Sequence, residues 1–200
     1  ELYWRLAKIT LSIADEQEVL GASEDTLFAF FEEGEAYADT SIELYENAPG
    51  LVYKASNIGR WGETKGPLNA LSKATPIRET IQYVVNDLHN LDQTIGWYVI
   101  GQLYYQLPGW PISFGNEDIA VSVTRKALDT IPENELYIGH FKGLAEILWD
   151  RDWNASKRNS KIKSMEKSWN KETSDMFEKH FYYEGANGEK FIDEYKNRVK

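Results

Sequence analysis

The sequence predicts an all-α protein in which helix pairs stack into a right-handed superhelix that ends in a C-terminal helical cap. Three observations support this prediction. Apolar residues recur at spacings of three and four along the chain, and no stretch alternates as a β-strand does. A spacing of four and then three recurs at residues 38, 42 and 45, at 77, 81 and 84, and at 120, 124 and 127. Three to four pairs are predicted, because one pair cannot bury its apolar face alone.

Composition narrows the class of protein. With 200 residues, of which 42% are hydrophobic, the chain can bury a core of ordinary size. A net charge of -10 argues against a nucleic-acid partner, because phosphate neutralisation needs a basic surface. The absence of cysteine excludes disulfides and thiolate chemistry. No apolar run is long enough to span a membrane, so we expect membrane attachment only through an anchor that precedes this chain.

The first half of the chain divides at its turn residues. Residues 2–14 form a predicted helix with Leu2, Leu6, Ile9 and Ile13 on one stripe, closed by the polar run at 15–18. A long helix starts at residues 23–25 and stops at 49–50, and a third runs over 51–61. After a break at 62–67 and a short helical piece at 68–73, Thr75 is expected to cap a new helix with Pro76 in its first turn.

The second half contributes further helices. Two are predicted within residues 97–132 and a seventh over 135–149. Residues 157–171 form a predicted amphipathic basic helix, and shorter helices are expected near 174–181 and 190–199. We therefore expect a helical-repeat array over 1–156 and a basic C-terminal cap or extension over 157–200. The basic helix either lies against the acidic array or contacts an anionic membrane or partner.

Residues 97–132 carry a specific motif. Trp97, Ile100, Gly101 and Tyr104 fit the pattern Trp-x2-Leu-Gly-x2-Tyr, and the later residues that complete the pattern are Ala120, Ala127 and Pro132. Thr124 stands where a large apolar residue is usual. This stretch resembles a tetratricopeptide (TPR) repeat, which implies a helical scaffold that binds other proteins. An insert at 108–115 interrupts it, too long for a tight turn and without an assigned role.

Two longer segments, 53–61 and 107–116, resemble those of two divergent TPR-like families. One is the T-component (TatT-like) lipoproteins of bacterial TRAP transporters, and the other is the regulator-of-microtubule-dynamics proteins and their bacterial relatives. The first resemblance implies a periplasmic, lipid-anchored bacterial protein that associates with a solute-binding protein and accommodates a ligand. The second implies only an adaptor, for which a cytoplasmic location is the alternative.

Catalytic chemistry has no support in the sequence. There is no nucleophile elbow, no His-Glu-x-x-His and no phosphate-binding glycine loop. His89, His140 and His180 have no ligand partners at metal-binding spacing, and the acidic runs lack the spacing of a calcium loop. We therefore expect a protein that is not an enzyme and that has no catalytic residues, metal site or cofactor.

The expected binding face follows from the helical phase of the motif. The first helix of each pair lines the concave surface of such arrays. The residues expected to face or border the groove lie next to the packing positions on the helix surface. They are Lys54, Asn57, Ile58, Arg60, Trp61, Tyr98, Gln102 and Tyr105. Aromatic rings beside amide and cationic groups suit a peptide of a partner protein, or a small apolar or carboxylate ligand. The alternative is that Trp61 and Tyr105 only pack against the two longer segments, 53–61 and 107–116.

Overall fold

The computed structural model describes residues 1–132, 138–151 and 173–183, together with isolated positions between 156 and 167. All secondary structure in these ranges is helical, which confirms the predicted all-α class. The helices are α1 Leu2–Val19, α2 Glu24–Leu44, α3 Ala48–Lys65, α4 Pro67–Asn86, α5 Thr94–Gln106, α6 Glu117–Asp129, α7 Ile138–Asp150 and α8 Met176–Lys179, which continues as a 3-10 turn at His180–Tyr182. Within these ranges, no helix combines the length and the apolar composition needed to cross a bilayer.

Local capping sets several helix ends. The side chains of Ser23, Asn47 and Asn116 accept backbone N–H hydrogen bonds in the first turns of α2, α3 and α6. These bonds satisfy donors that the start of a helix leaves open. Gly66 separates α3 from α4 with a φ of 99°, a conformation that favours glycine. The helix start predicted at 23–25 is therefore confirmed. The predicted stop at 49–50 is wrong, because α3 begins at Ala48, and the predicted break at 62–67 begins too early, because α3 continues to Lys65.

The predicted break around Thr75 and Pro76 is wrong, because α4 runs continuously from Pro67 to Asn86 with Pro76 inside it. Proline removes one backbone hydrogen bond from a helix interior and disfavours continuation. Here Ala74, Ile77 and Ile81 are buried on both sides of Pro76. Core packing along this face stabilises the helix across the proline.

The helices contact one another in a regular order. From α1 to α7 each helix packs against the next, and α1 also contacts α3, α3 contacts α5, and α5 contacts α7. The odd-numbered helices therefore form one layer. Near the C-terminus, α8 packs against α4, and the 3-10 turn packs against α6.

The core confirms the helical phase of the motif. Trp97, Ile100 and Tyr104 are buried in the main cluster, and Gly101 lies against Thr124 of α6. The largest cluster also contains Phe177 and Phe181 from the C-terminal segment. The rings of Trp97 and Phe177 stack at 6.2 Å, and those of Tyr104 and Phe181 meet edge-on at 5.4 Å. The C-terminal helical segment is thus joined to the motif helix through aromatic contacts.

The apolar stripe of α1 faces away from the rest of the protein. The buried face of α1 consists instead of Ala7, Thr10 and Ala14, whose small side chains permit close contact with α2. Apolar character at helical spacing identifies this helix correctly but does not identify its buried side.

Most of the predicted helix at 157–171 and all of the predicted helix at 190–199 lie outside the described residues. The isolated positions described between 156 and 167 are helical. The predicted helix near 174–181 corresponds to α8 and its 3-10 extension. The predicted seventh helix corresponds to α7, which is described from Ile138 onward.

Candidate functional site

A cavity of about 150 Å³ lies between α1, α3, α4 and α5. Its walls are mainly apolar. The apolar residues that line it are Leu11, Ile58, Ile77, Ile95, Val99, Leu103 and Leu107. Polar groups are concentrated in a few side chains, which is the usual composition of a ligand or anchor pocket.

One side of the cavity carries an ion cluster centred on Arg60. Its guanidinium donates to Asp15 at 3.0 Å and to Glu18 at 2.6 Å, and it is also bonded to Glu63. The amide of Gln106 donates to the other carboxylate oxygen of Glu63 at 2.7 Å. The cluster therefore joins α1, α3 and α5 around one guanidinium.

The charges of this cluster shift the pKa values of its members. Burial disfavours the charge of Arg60, but the neighbouring Glu63, Asp15 and Glu18 carboxylates raise its pKa above the usual value. Burial raises the pKa of Asp15, against the opposing effect of Arg60. Three carboxylates around one guanidinium leave an excess of negative charge, so Arg60 has little capacity left for an additional anion.

A second cavity of about 150 Å³ adjoins the first and shares Leu11, Asp15 and Ile95 with it. It extends between α1 and α7, where His140 and Pro132 contribute to its walls. The two cavities therefore lie side by side along the layer of odd-numbered helices, separated by residues of α1 and α5.

Four of the predicted site residues line the first cavity: Ile58 and Arg60 from α3, and Tyr98 and Gln102 from α5. Tyr98 also packs edge-on against the ring of His140 at 4.8 Å. These four residues therefore line the same cavity.

Asn57 and Lys54 lie elsewhere, which corrects their predicted positions. Asn57 is fully buried and donates to the carbonyl of Tyr53 at 2.8 Å and to that of Ala7 at 3.3 Å. It connects α3 to α1 inside the core and cannot border a groove. Lys54 points to the α2 side, where it forms an ion pair with Asp39 at 2.5 Å.

Trp61 and Tyr105 are not among the residues that line the first cavity. The Trp61 ring packs against Phe28 at 5.4 Å, and its indole N–H donates to Glu32 at 3.2 Å. The hydroxyl of Tyr105 donates to Asp150 of α7, and this hydrogen bond raises the pKa of Tyr105 to about 12. Trp61 and Tyr105 therefore lie outside the cavity that Tyr98 lines.

The sequence does not predict the contributions of α1 and α4 to the cavity. Leu11 and Asp15 come from α1, and Lys73 and Ile77 come from α4. The sequence predicts that the first helix ends at about Asp15, but α1 continues to Val19 in the structure. The regular pairing of helices indicates that α4 lies beside α3. No local pattern indicates that α1 lines the same cavity as α5.

The insert at 108–115 has an anchored base and an exposed tip. The N–H of Gly115 donates to the carbonyl of Pro108 at 3.0 Å, and the ring of Phe114 meets Tyr104 edge-on at 5.3 Å. At the tip, the side chains of Trp110 and Ile112 are largely exposed. The insert is therefore a defined structural feature. It lies outside the two apolar cavities, but its Gly109 and Gly115 line a third cavity of about 380 Å³ together with Tyr105.

His180 packs edge-on against Trp97 at 4.5 Å, and burial, aided by Lys126 and Lys179, lowers its pKa to about 4. In the described part of the chain, no group of three or more histidine, aspartate or glutamate side chains is arranged to hold a metal ion.

No protein-family model matches the chain, and no curated protein or solved structure is significantly similar to it.

Proposed function

We propose that the chain is a non-enzymatic, TPR-like scaffold that binds a protein partner through the layer of odd-numbered helices. In this proposal the helix pairs form a right-handed superhelix, whose first helices line the binding face. The sequential packing of α1 to α7 supports it, as do the additional contacts of α1 with α3, α3 with α5, and α5 with α7. The burial of Trp97, Ile100 and Tyr104 at the packing positions of the motif is a further support.

The observation that carries the proposal is the mainly apolar cavity between α1, α3, α4 and α5. Its volume of about 150 Å³ is well below the roughly 300–1,000 Å³ of sites that enclose a drug-sized ligand. A cavity of this size fits one benzene-sized group. It therefore suits a single apolar side chain of a partner, such as Leu or Phe, and buried anchors of this kind dominate the energetics of many interfaces.

Electrostatics favour an uncharged anchor. Arg60 is already surrounded by Asp15, Glu18 and Glu63. Lys73 also lines the cavity, but the three carboxylates still outnumber the two cations, so an added carboxylate would meet excess negative charge. The amide of Gln102 and the ring of Tyr98 provide a neutral wall on the opposite helix. We therefore favour an apolar anchor over the carboxylate ligand that the sequence also allowed.

Gly59 offers a direct test, because it lines the cavity and has free space around it. A Cβ atom built there would meet only Cδ1 of Ile77, at 3.9 Å. Gly59→Met would fill the cavity, whereas Gly59→Ala adds one methyl group and serves as the control for removal of a helical glycine. Random peptide display against the chain should select peptides with a recurrent bulky apolar residue.

The selected peptides should bind Gly59→Ala with nearly native affinity and lose at least tenfold in affinity for Gly59→Met, as measured by calorimetry. Each variant is first compared with the native chain by circular dichroism, which confirms an unchanged helix content. Equal binding of the selected peptides to Gly59→Met would show that the cavity is not the anchor site, and the proposal would then be wrong.

The apolar character of the same cavity also supports a second function, the binding of a small apolar ligand. This is what a TatT-like, extracytoplasmic transport component would do. Native mass spectrometry of the purified chain distinguishes the two, since a co-purified small molecule that is displaced in Gly59→Met supports ligand binding. A chain that is empty and binds the selected peptides supports the scaffold.

A further inference from the structure

The first helix presents an apolar stripe to solvent. The exposed fraction is 66% for Leu2, 52% for Ile9, 37% for Ile13 and 71% for Leu20. The half-buried Leu6 completes the row. The opposite side of α1, with Ala7, Thr10 and Ala14, packs into the protein. A contiguous exposed apolar row of this kind is typical of an interaction surface, whereas single exposed residues are ordinary.

The spacing of the stripe matches that of a helix-pairing seam. Residues 2, 6, 9, 13 and 20 follow the alternating intervals of four and three that a two-helix coiled coil requires. Glu16 occupies the one remaining position of the series. The seam is therefore apolar except at one acidic residue near its C-terminal end.

The charges along the seam indicate what covers it. Arg5 lies beside its first half, and Glu16 lies in its second half, and both are exposed. Among the ion pairs between described residues, none involves Arg5 or Glu16. The stripe thus carries complementary charges at its two ends.

We propose that α1 pairs with α1 of a second copy of this chain in antiparallel orientation. A two-fold axis near residue 11 places Ile9 of each copy opposite Ile13 of the other, and Leu2 opposite Leu20. In this register Arg5 of one copy lies opposite position 17 of the other copy. It is therefore one residue, or about 1.5 Å along the helix axis, from Glu16 of that copy. A parallel pairing would instead juxtapose the two Glu16 carboxylates, which is unfavourable.

This surface is distinct from the two cavities, so the dimer goes beyond the binding function proposed above. The seam is 18 residues of one helix and is smaller than a standard permanent interface. The dimer is therefore a concentration-dependent one, and it uses a face of α1 other than the one, with Leu11 and Asp15, that lines the cavities.

Sedimentation velocity of the full chain over a wide range of protein concentrations tests the proposal. The native chain should pass from monomer to dimer, and the double variant Ile9→Glu with Ile13→Glu should remain monomeric with an unchanged melting temperature. Leu44→Glu is the matched control, since Leu44 is 70% exposed at the end of α2. That variant should dimerise as the native chain does.

The orientation is tested by charge reversal. Arg5→Glu and Glu16→Arg should each weaken self-association, because each places like charges opposite one another in the antiparallel register. An equimolar mixture of the two variants should restore dimers, because every contact between positions 5 and 16 of the mixed dimer then joins opposite charges. The recovery should diminish at high ionic strength.

A native chain that stays monomeric at every concentration would overturn the proposal, and the stripe would then serve another partner or a further helix. A dimer that persists in the Ile9→Glu, Ile13→Glu variant would also overturn it, as would a mixture that dimerises no better than its components.

Discussion

The guanidinium of Arg60 donates through Nε to Oδ1 of Asp15 at 3.0 Å, across 45 residues of sequence. This hydrogen-bonded ion pair fixes α1 to α3 beside the first cavity. The same guanidinium holds Glu18 and Glu63, so its removal would leave three carboxylates facing one another. The structural importance of Arg60 thus exceeds that of a single surface ion pair.

Arg60→Met is expected to destabilise the fold by about 2 kcal/mol at neutral pH, because a partly buried cluster loses its central cation. The loss should shrink toward about pH 4, where carboxyl groups begin to take up protons. Urea denaturation at the two pH values measures both effects. An equal loss at both would show that the arginine acts through packing and not through charge.

Lys54→Met provides the control for this prediction. Lys54 and Asp39 also form an ion pair between helices, but their side chains are more exposed, at 34% and 41%. Such pairs contribute about 0–1 kcal/mol. We expect Lys54→Met to change the free energy of unfolding by less than half as much as Arg60→Met.

Two helical glycines should respond to alanine in opposite ways. A Cβ atom at Gly34 would lie 2.3 Å from Oδ1 of the buried Asn57 and 2.8 Å from Oγ1 of Thr10, where three helices meet. Gly34→Ala should therefore cost about 1–3 kcal/mol despite the better helix propensity of alanine. Gly59→Ala, which meets no close atom, should stabilise by up to about 1 kcal/mol.

Thermal or urea unfolding of the two glycine variants, compared with the native chain, measures this contrast. Stabilisation by Gly34→Ala would contradict the close approach of α1, α2 and α3 at this point. The combined Gly34→Ala, Asn57→Ala variant should lose less stability than the sum of the losses in the two single variants, since both changes act at one contact.

The parts of the site that could be predicted depend on periodicity within individual helices. The burial of Trp97 and Tyr104 and the position of Tyr98 follow from 3.6-residue periodicity within α5, which the motif establishes. The roles of Asn57 and Asp15 depend on contacts between α1 and α3, about 45–50 residues apart in the chain. No local pattern encodes such contacts, so the sequence placed Asn57 on a rim and not in the core.

The error at Pro76 has a related cause. The local rule against proline in a helix interior is sound, but its cost of about 3 kcal/mol can be offset by the burial of neighbouring apolar side chains. Ala74 and Ile77, on either side of the proline, are each at most 3% exposed. Tertiary packing therefore outweighed the local signal, which is the usual reason that helix boundaries are mispredicted.

Gly101 and Thr124 provide a third prediction, which explains why threonine stands where the TPR pattern has a large apolar residue. A Cβ atom at Gly101 would lie 2.2 Å from Oγ1 of the fully buried Thr124. Gly101→Ala should destabilise by about 1–3 kcal/mol, because α5 and α6 would have to separate. Adding Thr124→Ala should recover most of that loss in urea denaturation. No recovery would indicate that the backbone of α6, and not the threonine side chain, sets the distance.

The last prediction concerns His180, whose pKa is lowered to about 4 by burial and by the nearby Lys126 and Lys179. The folded state keeps this imidazole neutral, whereas the unfolded chain protonates it near its ordinary pKa of 6.5. Its contribution to stability is therefore complete above about pH 6.5 and is lost as the pH falls toward about 4.

His180→Phe keeps a ring against Trp97 but cannot be protonated. Between neutral pH and about pH 4.5 the native chain should lose roughly 1–2 kcal/mol more than the variant, a value reduced for partial solvent screening. Urea denaturation of both chains at the two pH values measures the difference, and parallel losses would show that other groups account for the acid sensitivity.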